Sequence, residues 1–161
     1  MRKISCALFV VAAVVASACG ATTRSGSTIT SPTAGSVLTG ATLAFRTLDN
    51  GKDTKSQVTV QLLRSNNELG AELHVGGIKF DDNTQAAPMA FSVAGPFRMT
   101  DINDGSMRIR MTPDGRDTWT FDMRLVLTFS DNSQRTFAWQ NVRLDEHAPE
   151  RTFPLAPARV S

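Results

Sequence analysis

Thr118-Trp119-Thr120-Phe121-Asp122-Met123-Arg124-Leu125-Val126-Leu127-Thr128-Phe129 is the stretch that decides the fold. Trp119, Phe121, Met123, Leu125, Leu127 and Phe129 occupy every second position; Thr118, Thr120, Asp122, Arg124 and Thr128 lie between them, joined by Val126. In an extended chain successive side chains point to opposite faces, so the six large apolar groups share one face. On a helix they would be spread around the axis. The stretch therefore reads as a half-buried β-strand.

The same period extends on both sides. Leu43 and Phe45 alternate with Thr42, Ala44 and Arg46, and Val58, Val60 and Leu62 alternate with Gln57, Thr59 and Gln61. Leu69, Ala71, Leu73 and Val75 alternate with Glu68, Gly70, Glu72 and His74. Turn residues suggest the pairings. Pro113-Asp114-Gly115 predicts a hairpin setting Met111 opposite Trp119, Ile109 opposite Phe121 and Met107 opposite Met123, with Arg108 facing Asp122 outside. Asp131-Asn132-Ser133 predicts a three-residue loop that sets Leu127 opposite Phe137 and Leu125 opposite Trp139. Beyond Trp139 the apolar phase slips to Val142 and Leu144, which predicts a bulge near Gln140-Asn141. About eight short strands with turn-rich joints read as an all-β fold, an antiparallel β-sandwich spanning residues 41–161.

Residues 20–40 are mostly Ser, Thr, Gly and Ala, with one charge (Arg24) and one proline (Pro32). That composition reads as a flexible linker, with Ser36-Val37-Leu38 as an alternative edge strand. Ahead of it, Arg2 and Lys3 precede an apolar run over residues 4–15 and the small residues Ala16, Ser17 and Ala18. Residues 1–18 are thus a secretory signal, shorter than the about 20 apolar residues of a spanning helix. Ala16-Ser17-Ala18-Cys19 resembles the lipobox of bacterial lipoprotein precursors, although Ala16 stands where Leu is usual. The resemblance implies cleavage before Cys19 and a diacylglycerol on its thiol, and hence a membrane attachment through lipid. With Gly20 rather than Asp next, it implies the outer membrane if the host is Gram-negative. Ala16-x-Ala18 also fits ordinary cleavage, which releases a soluble exported protein, and both routes stay open.

Composition narrows the function classes. The chain has 17 Lys+Arg against 15 Asp+Glu; losing Arg2 and Lys3 leaves 15 against 15, so nothing points to nucleic acid. Cys6 leaves with the signal, and Cys19 has no disulfide partner in the mature chain.

If the strands run alternately up and down, one end gathers Asp49, Asp53, Asp81, Asp82, Asp114, Asp117, Asp145 and Glu146. The other end receives Glu68, Asp101, Asp104 and Asp131. Asp49, Asp53, Asp81, Asp82, Asp114 and Asp117 are candidate oxygen ligands for Ca²⁺, which accepts six to eight of them in tolerant geometry. Two of these loops echo each other, Asn50-Gly51-Lys52-Asp53-Thr54 and Asp114-Gly115-Arg116-Asp117-Thr118. Plain turn chemistry explains the same residues, and Lys52, Lys55 and Arg116 neutralise them. The sorting also requires Gly76-Gly77 to be a bend rather than a reversal. In outline, a Gly-Lys-Asp-Thr loop feeding Val58-Thr59-Val60-Gln61-Leu62, with Phe137 running into Val142-Arg143-Leu144, resembles the lipid-associating sandwiches of the C2 and PLAT type. The likeness covers about half of the domain and carries over no binding residue.

Enzyme signatures are thin. His74 and His147 lack metal-ligand spacing, and no Gly-x-Ser-x-Gly or phosphate loop occurs. Arg108, Arg110 and Arg124 could form an anion-binding stripe or a solvated sheet face. The expectation is a non-enzymatic, lipid-anchored envelope protein whose sandwich binds or supports an unknown envelope protein, glycan or lipid. A Ca²⁺-stabilised glycan- or lipid-binding sandwich and a carboxylate- or metal-dependent hydrolase are the alternatives.

Overall fold

The computed structural model describes residues 32–156. The segment read as a signal, Cys19 and most of the segment read as a linker lie outside the described residues. The chain is an all-β sandwich of two antiparallel sheets. The elements in order are β1 (Leu38–Thr47), β2 (Gln57–Leu63), β3 (Leu69–Val75), β4 (Met89–Ala90), β5 (Ser92–Val93), α1 (Met99–Asn103), β6 (Ser106–Thr112), β7 (Trp119–Phe129), β8 (Gln134–Leu144) and β9 (Glu150–Pro154). One sheet has the order β4-β1-β7-β8 and the other β5-β3-β2-β6-β9. No helix among the described residues is long and apolar enough to cross a membrane.

Alternation does what the pleat demands. All six large apolar residues of β7 are buried, as are Leu43, Phe45, Val58, Val60, Leu62, Met107, Ile109 and Met111 from the facing strands. Each such side chain contributes about 1.5–3 kcal/mol of burial, offset by the entropy lost in ordering the chain. Phe45, Phe80, Trp119 and Phe121 form an aromatic cluster. The Trp119 ring lies 4.8 Å from Phe45, 5.0 Å from Phe80 and 3.9 Å from Phe121. Its Nε1 donates to Thr47 Oγ1 at 3.1 Å, so the one polar atom of the indole is satisfied inside the core.

The expected hairpin between β6 and β7 does not form. β6 pairs with β2 and β9, while β7 pairs with β1 and β8. Residues 113–118 therefore arch from one sheet to the other, and the apolar faces of β6 and β7 both turn into the core between the sheets. A hairpin would have set those faces side by side in one sheet; alternation is the same in both arrangements and cannot choose between them. Arg108 accordingly meets its β2 partner, donating through Nε and Nη2 to Gln61 Oε1 at 3.1 and 2.6 Å, not Asp122. The arginine stripe is also divided. Arg108 and Arg110 lie on the outer face of one sheet, and Arg124 on that of the other.

The β7–β8 hairpin forms with a three-residue loop, as expected, but in a shifted register. Leu125 is opposite Phe137 and Met123 opposite Trp139. The loop is Ser130-Asp131-Asn132, closed by Phe129 N to Ser133 O at 3.0 Å, with Asn132 at φ 60°. A left-handed residue suits Asn and ends a three-residue loop. The shift is by two residues, so inward side chains stay inward. The bulge falls where the phase slip places it: Asn141 has φ 53°, and the register jumps between Phe121 and Met123.

Two further differences concern boundaries. β1 begins at Leu38, inside the segment read as linker, because Leu38 packs into the core and Val37 already bridges Arg98. It is an inner strand, flanked by β7 and the two-residue β4. The short α1 buries Met99 and Ile102 and has Asp101 accepting Arg98 N at 2.8 Å; one turn is too short to produce a helical period.

Candidate functional site

The loops sort to the two ends as alternation predicts. Residues 48–56, 76–88, 113–118 and 145–149 share one end. Gly77, at φ 70°, bends the chain past the end of β3 instead of reversing it along the sheet. The first two loops meet as a small antiparallel bridge, Lys52 N to Phe80 O and Phe80 N to Lys52 O, each 3.0 Å. Gly51 permits this approach, because a Cβ there would collide with the Phe80 carbonyl.

The centre of this end is a lysine. Lys52 is fully buried, its Nζ donating to Asp53 O at 2.7 Å and Ser56 O at 2.6 Å, and lying 5.6 Å from the Phe80 ring centroid. Burial pushes its pKa below the ordinary lysine value, against the opposing pull of Asp117 and then Asp53. Asp117 Oδ2 ties the neighbouring loop by accepting Asp53 N at 3.0 Å and the Ser56 hydroxyl, while Ser56 Oγ accepts Asp114 N at 2.9 Å. Asp82 Oδ1 accepts Gly51 N at 2.6 Å, and Asp53 Oδ1 accepts Thr54 N at 2.5 Å. Asp81 pairs with Lys79 at 2.6 Å and Asp114 with Lys55 at 3.7 Å; Asp49 is exposed.

The six candidate calcium ligands are thus brought to one end but not to one point. Five of them are turned onto backbone amides, a hydroxyl or lysines, and among the described residues no three His, Cys, Asp or Glu group to hold a metal. An open depression of about 550 Å³ remains between Gly51, Lys52, Asp53, Lys79, Asp82 and Asp117. Its hydrogen bonds run between loops, so this end works as a polar clasp.

The opposite end receives the chain from the N-terminal side. Asp131 Oδ2 accepts Thr33 N at 3.1 Å and Thr33 Oγ1 at 3.3 Å, and its Oδ1 accepts Ser133 N and the Ser133 hydroxyl. These donors, the Ser133 hydroxyl first and the Thr33 amide second, hold the Asp131 carboxyl at about 2. A depressed carboxylate contributes to stability above its unfolded pKa and loses that contribution as pH falls towards the folded value. The Thr33 amide resonance should therefore titrate with a midpoint near 2. Asp131→Asn should abolish that titration. A midpoint at the ordinary 3.8 would show that the strap does not hold the carboxylate.

The third feature is on the outer face of the four-stranded sheet. Registered rows cross it: Thr42–Val126–Thr136, Ala44–Arg124–Ala138, and Arg46 opposite Asp122, with Gln140 at the bulge beyond. Thr42, Ala44, Val126 and Ala138 make a low floor, and the chain at Gln85 and Pro88 walls one side, held by Ala86 N to Phe45 O at 2.9 Å. The result is an open groove of about 440 Å³. Arg46 and Arg124 are exposed, and among the described residues neither guanidinium has an acid within 4.0 Å. Asp122, their neighbour in register, instead accepts Asn141 N at 2.9 Å and pins the bulge.

The chain matches no protein-family model, no curated protein and no solved structure. The site must be judged on its own geometry. Sequence reasoning singled out Arg124 but grouped it with the wrong strands, and it passed over Arg46. A signal was present. Ala44, Val126 and Ala138 are apolar at outward positions, where solvated strands normally carry polar groups.

Proposed function

We propose that the protein is a lipid-anchored envelope protein whose β-sandwich is a non-enzymatic binding module. The anchor is Cys19, and the geometry that supports this arrangement is the Thr33–Asp131 strap. Thr33 follows Cys19 by fourteen residues, and a chain of that length with Ser/Thr/Gly composition would span about 20 Å if it behaved as a coil. It joins the sandwich at the β7–β8 turn, so the lipid attaches at that end. The lysine-centred clasp lies at the far end of β7, an eleven-residue strand of about 35 Å. The outer sheet faces run between the two ends, clear of the anchoring point. Two or more acyl chains give stable attachment at about 0.8 kcal/mol per buried methylene, with no membrane contact required of the body.

Membrane fractionation of Cys19→Ala tests the anchor. The wild type should sediment with membranes and carry a diacylglycerol-modified Cys19 as its mature N-terminus by mass spectrometry. The variant should become soluble in the exported fraction or accumulate unprocessed. Membrane association unchanged by the substitution would refute lipidation.

A further inference from the structure

We propose that the groove on the outer face of the four-stranded sheet binds a small ligand with an oxyanion head and an apolar body, Arg46 and Arg124 taking the head. This gives a ligand class to the binding module and rests on that reading, but its test does not depend on the lipid.

The case begins with charge. Arg46 faces Asp122 across β1 and β7, and Ala44 faces Arg124 on the adjacent row of the same face, so the two arginines are diagonal neighbours. Like charges this close oppose folding unless something offsets them. Register provides a partial offset in Asp122, which also lines the groove and whose Oδ1 accepts the Asn141 amide at the bulge; its single charge answers one of the two guanidiniums. The groove keeps a net positive charge, with neither guanidinium held in an ion pair among the described residues, and guanidinium groups bind carboxylate, sulfonate or phosphate oxygens through paired N–H donors.

The floor supplies the second half of the specification. Arg124 stands between Ala44 and Ala138 in register, and Thr42 and Val126 continue the floor. Small side chains on an outward face leave depth beside the arginines that longer polar residues would fill. At about 440 Å³ the groove falls in the range of small-molecule sites. It crosses only β1, β7 and β8, a span of about 10 Å between the outer strands, and Gln85 and Pro88 wall one side. That span fits a compact molecule better than an extended polymer.

Calorimetry and amide chemical shifts on the full-length protein test the proposal, with naphthalene-1-sulfonate as the anionic probe and naphthalene-1-methanol as its neutral counterpart. The sulfonate should bind saturably, shifting amides around Ala44, Arg124 and Ala138, and the alcohol should bind about tenfold more weakly. The Arg46→Gln/Arg124→Gln double variant should lose about tenfold or more in sulfonate affinity while its melting temperature holds or rises and its alcohol binding stays unchanged. The naphthalene carboxylate and phosphate, run in parallel, decide which oxyanion head is preferred. Equal affinity for alcohol and sulfonate would overturn the proposal, as would shifts confined to other surfaces, undiminished binding by the double variant, or no binding at millimolar probe. Should the sulfonate fail while Cys19→Ala still releases the protein, the groove falls and the anchored module stands. Sulfonate binding with fractionation unchanged by Cys19→Ala would leave the groove and remove the anchor.

Discussion

Trp119→Ala is expected to cost about 3–5 kcal/mol, a large part of the about 5–15 kcal/mol that holds a domain folded. The indole is completely buried and touches Phe45, Phe80 and Phe121. It joins the 76–88 loop of the clasp end to the core, since Phe80 reaches it from that loop and Phe45 from β1. Truncation leaves a cavity among rigid aromatic rings that cannot close over it, and strands Thr47 Oγ1 without its donor. Trp119→Phe separates the two effects: it keeps the ring contacts and should cost less, mostly through the lost Nε1 hydrogen bond. Urea unfolding followed by the emission of Trp139, the other tryptophan, gives both values. A loss below about 1 kcal/mol for the alanine variant would show that the cluster repacks and that Trp119 is not its centre.

Lys52→Met should cost about 2–4 kcal/mol. Methionine keeps most of the stem against Phe80 but removes the donors that reach Asp53 O and Ser56 O, in a position fully closed to water. Asp117 then loses the cation beside it while still tied to Asp53 N and Ser56 Oγ. The pH dependence has a definite sign. Burial lowers the Lys52 pKa below 10.5, so between the folded value and 10.5 the unfolded chain binds more protons than the folded one. Over that window the Lys52 contribution grows as pH rises. A neutral amine still has two hydrogens for the two carbonyls, so deprotonation relieves the cost of burying charge without breaking those bonds. Lys79, whose pKa is raised by its hydrogen bond and charge pairing with Asp81, has the opposite slope but is present in both proteins. The difference in urea midpoint between wild type and Lys52→Met should therefore widen as pH rises towards 10.5. A difference that stays constant or narrows would mean that Lys52 is not stabilised as the neutral amine.

The strand faces were legible because alternation is local. Trp119 and Phe121 point inward for the same reason that Thr120 and Asp122 point outward, and no distant residue is needed to say so. The bulge at Asn141 was legible on the same grounds, as a break in phase between Trp139 and Val142. The gathering of Asp53, Asp82 and Asp117 at one end followed from counting reversals along the chain. What those carboxylates do there was not legible: distances of a few ångströms decide whether acids share a metal or each accept a backbone amide. Lys52 was hidden for a related reason. A lysine between Gly51 and Asp53 looks like any solvated loop residue until Phe80 arrives from another loop to cover it.

By itself, then, the sequence determined an all-β sandwich, the face of each long strand, the bulge, and which loops meet at which end, because each follows from the two-residue pleat and the sense of successive strands. Only the tertiary structure decided which strands are neighbours. The apolar stripes of β6 and β7 suit a hairpin or a pair of facing sheets equally well, and the choice lies in how the whole core packs. That choice sent Arg108 to Gln61, gave Asp122 to the Asn141 amide, and left Arg46 and Arg124 together over a floor of small residues.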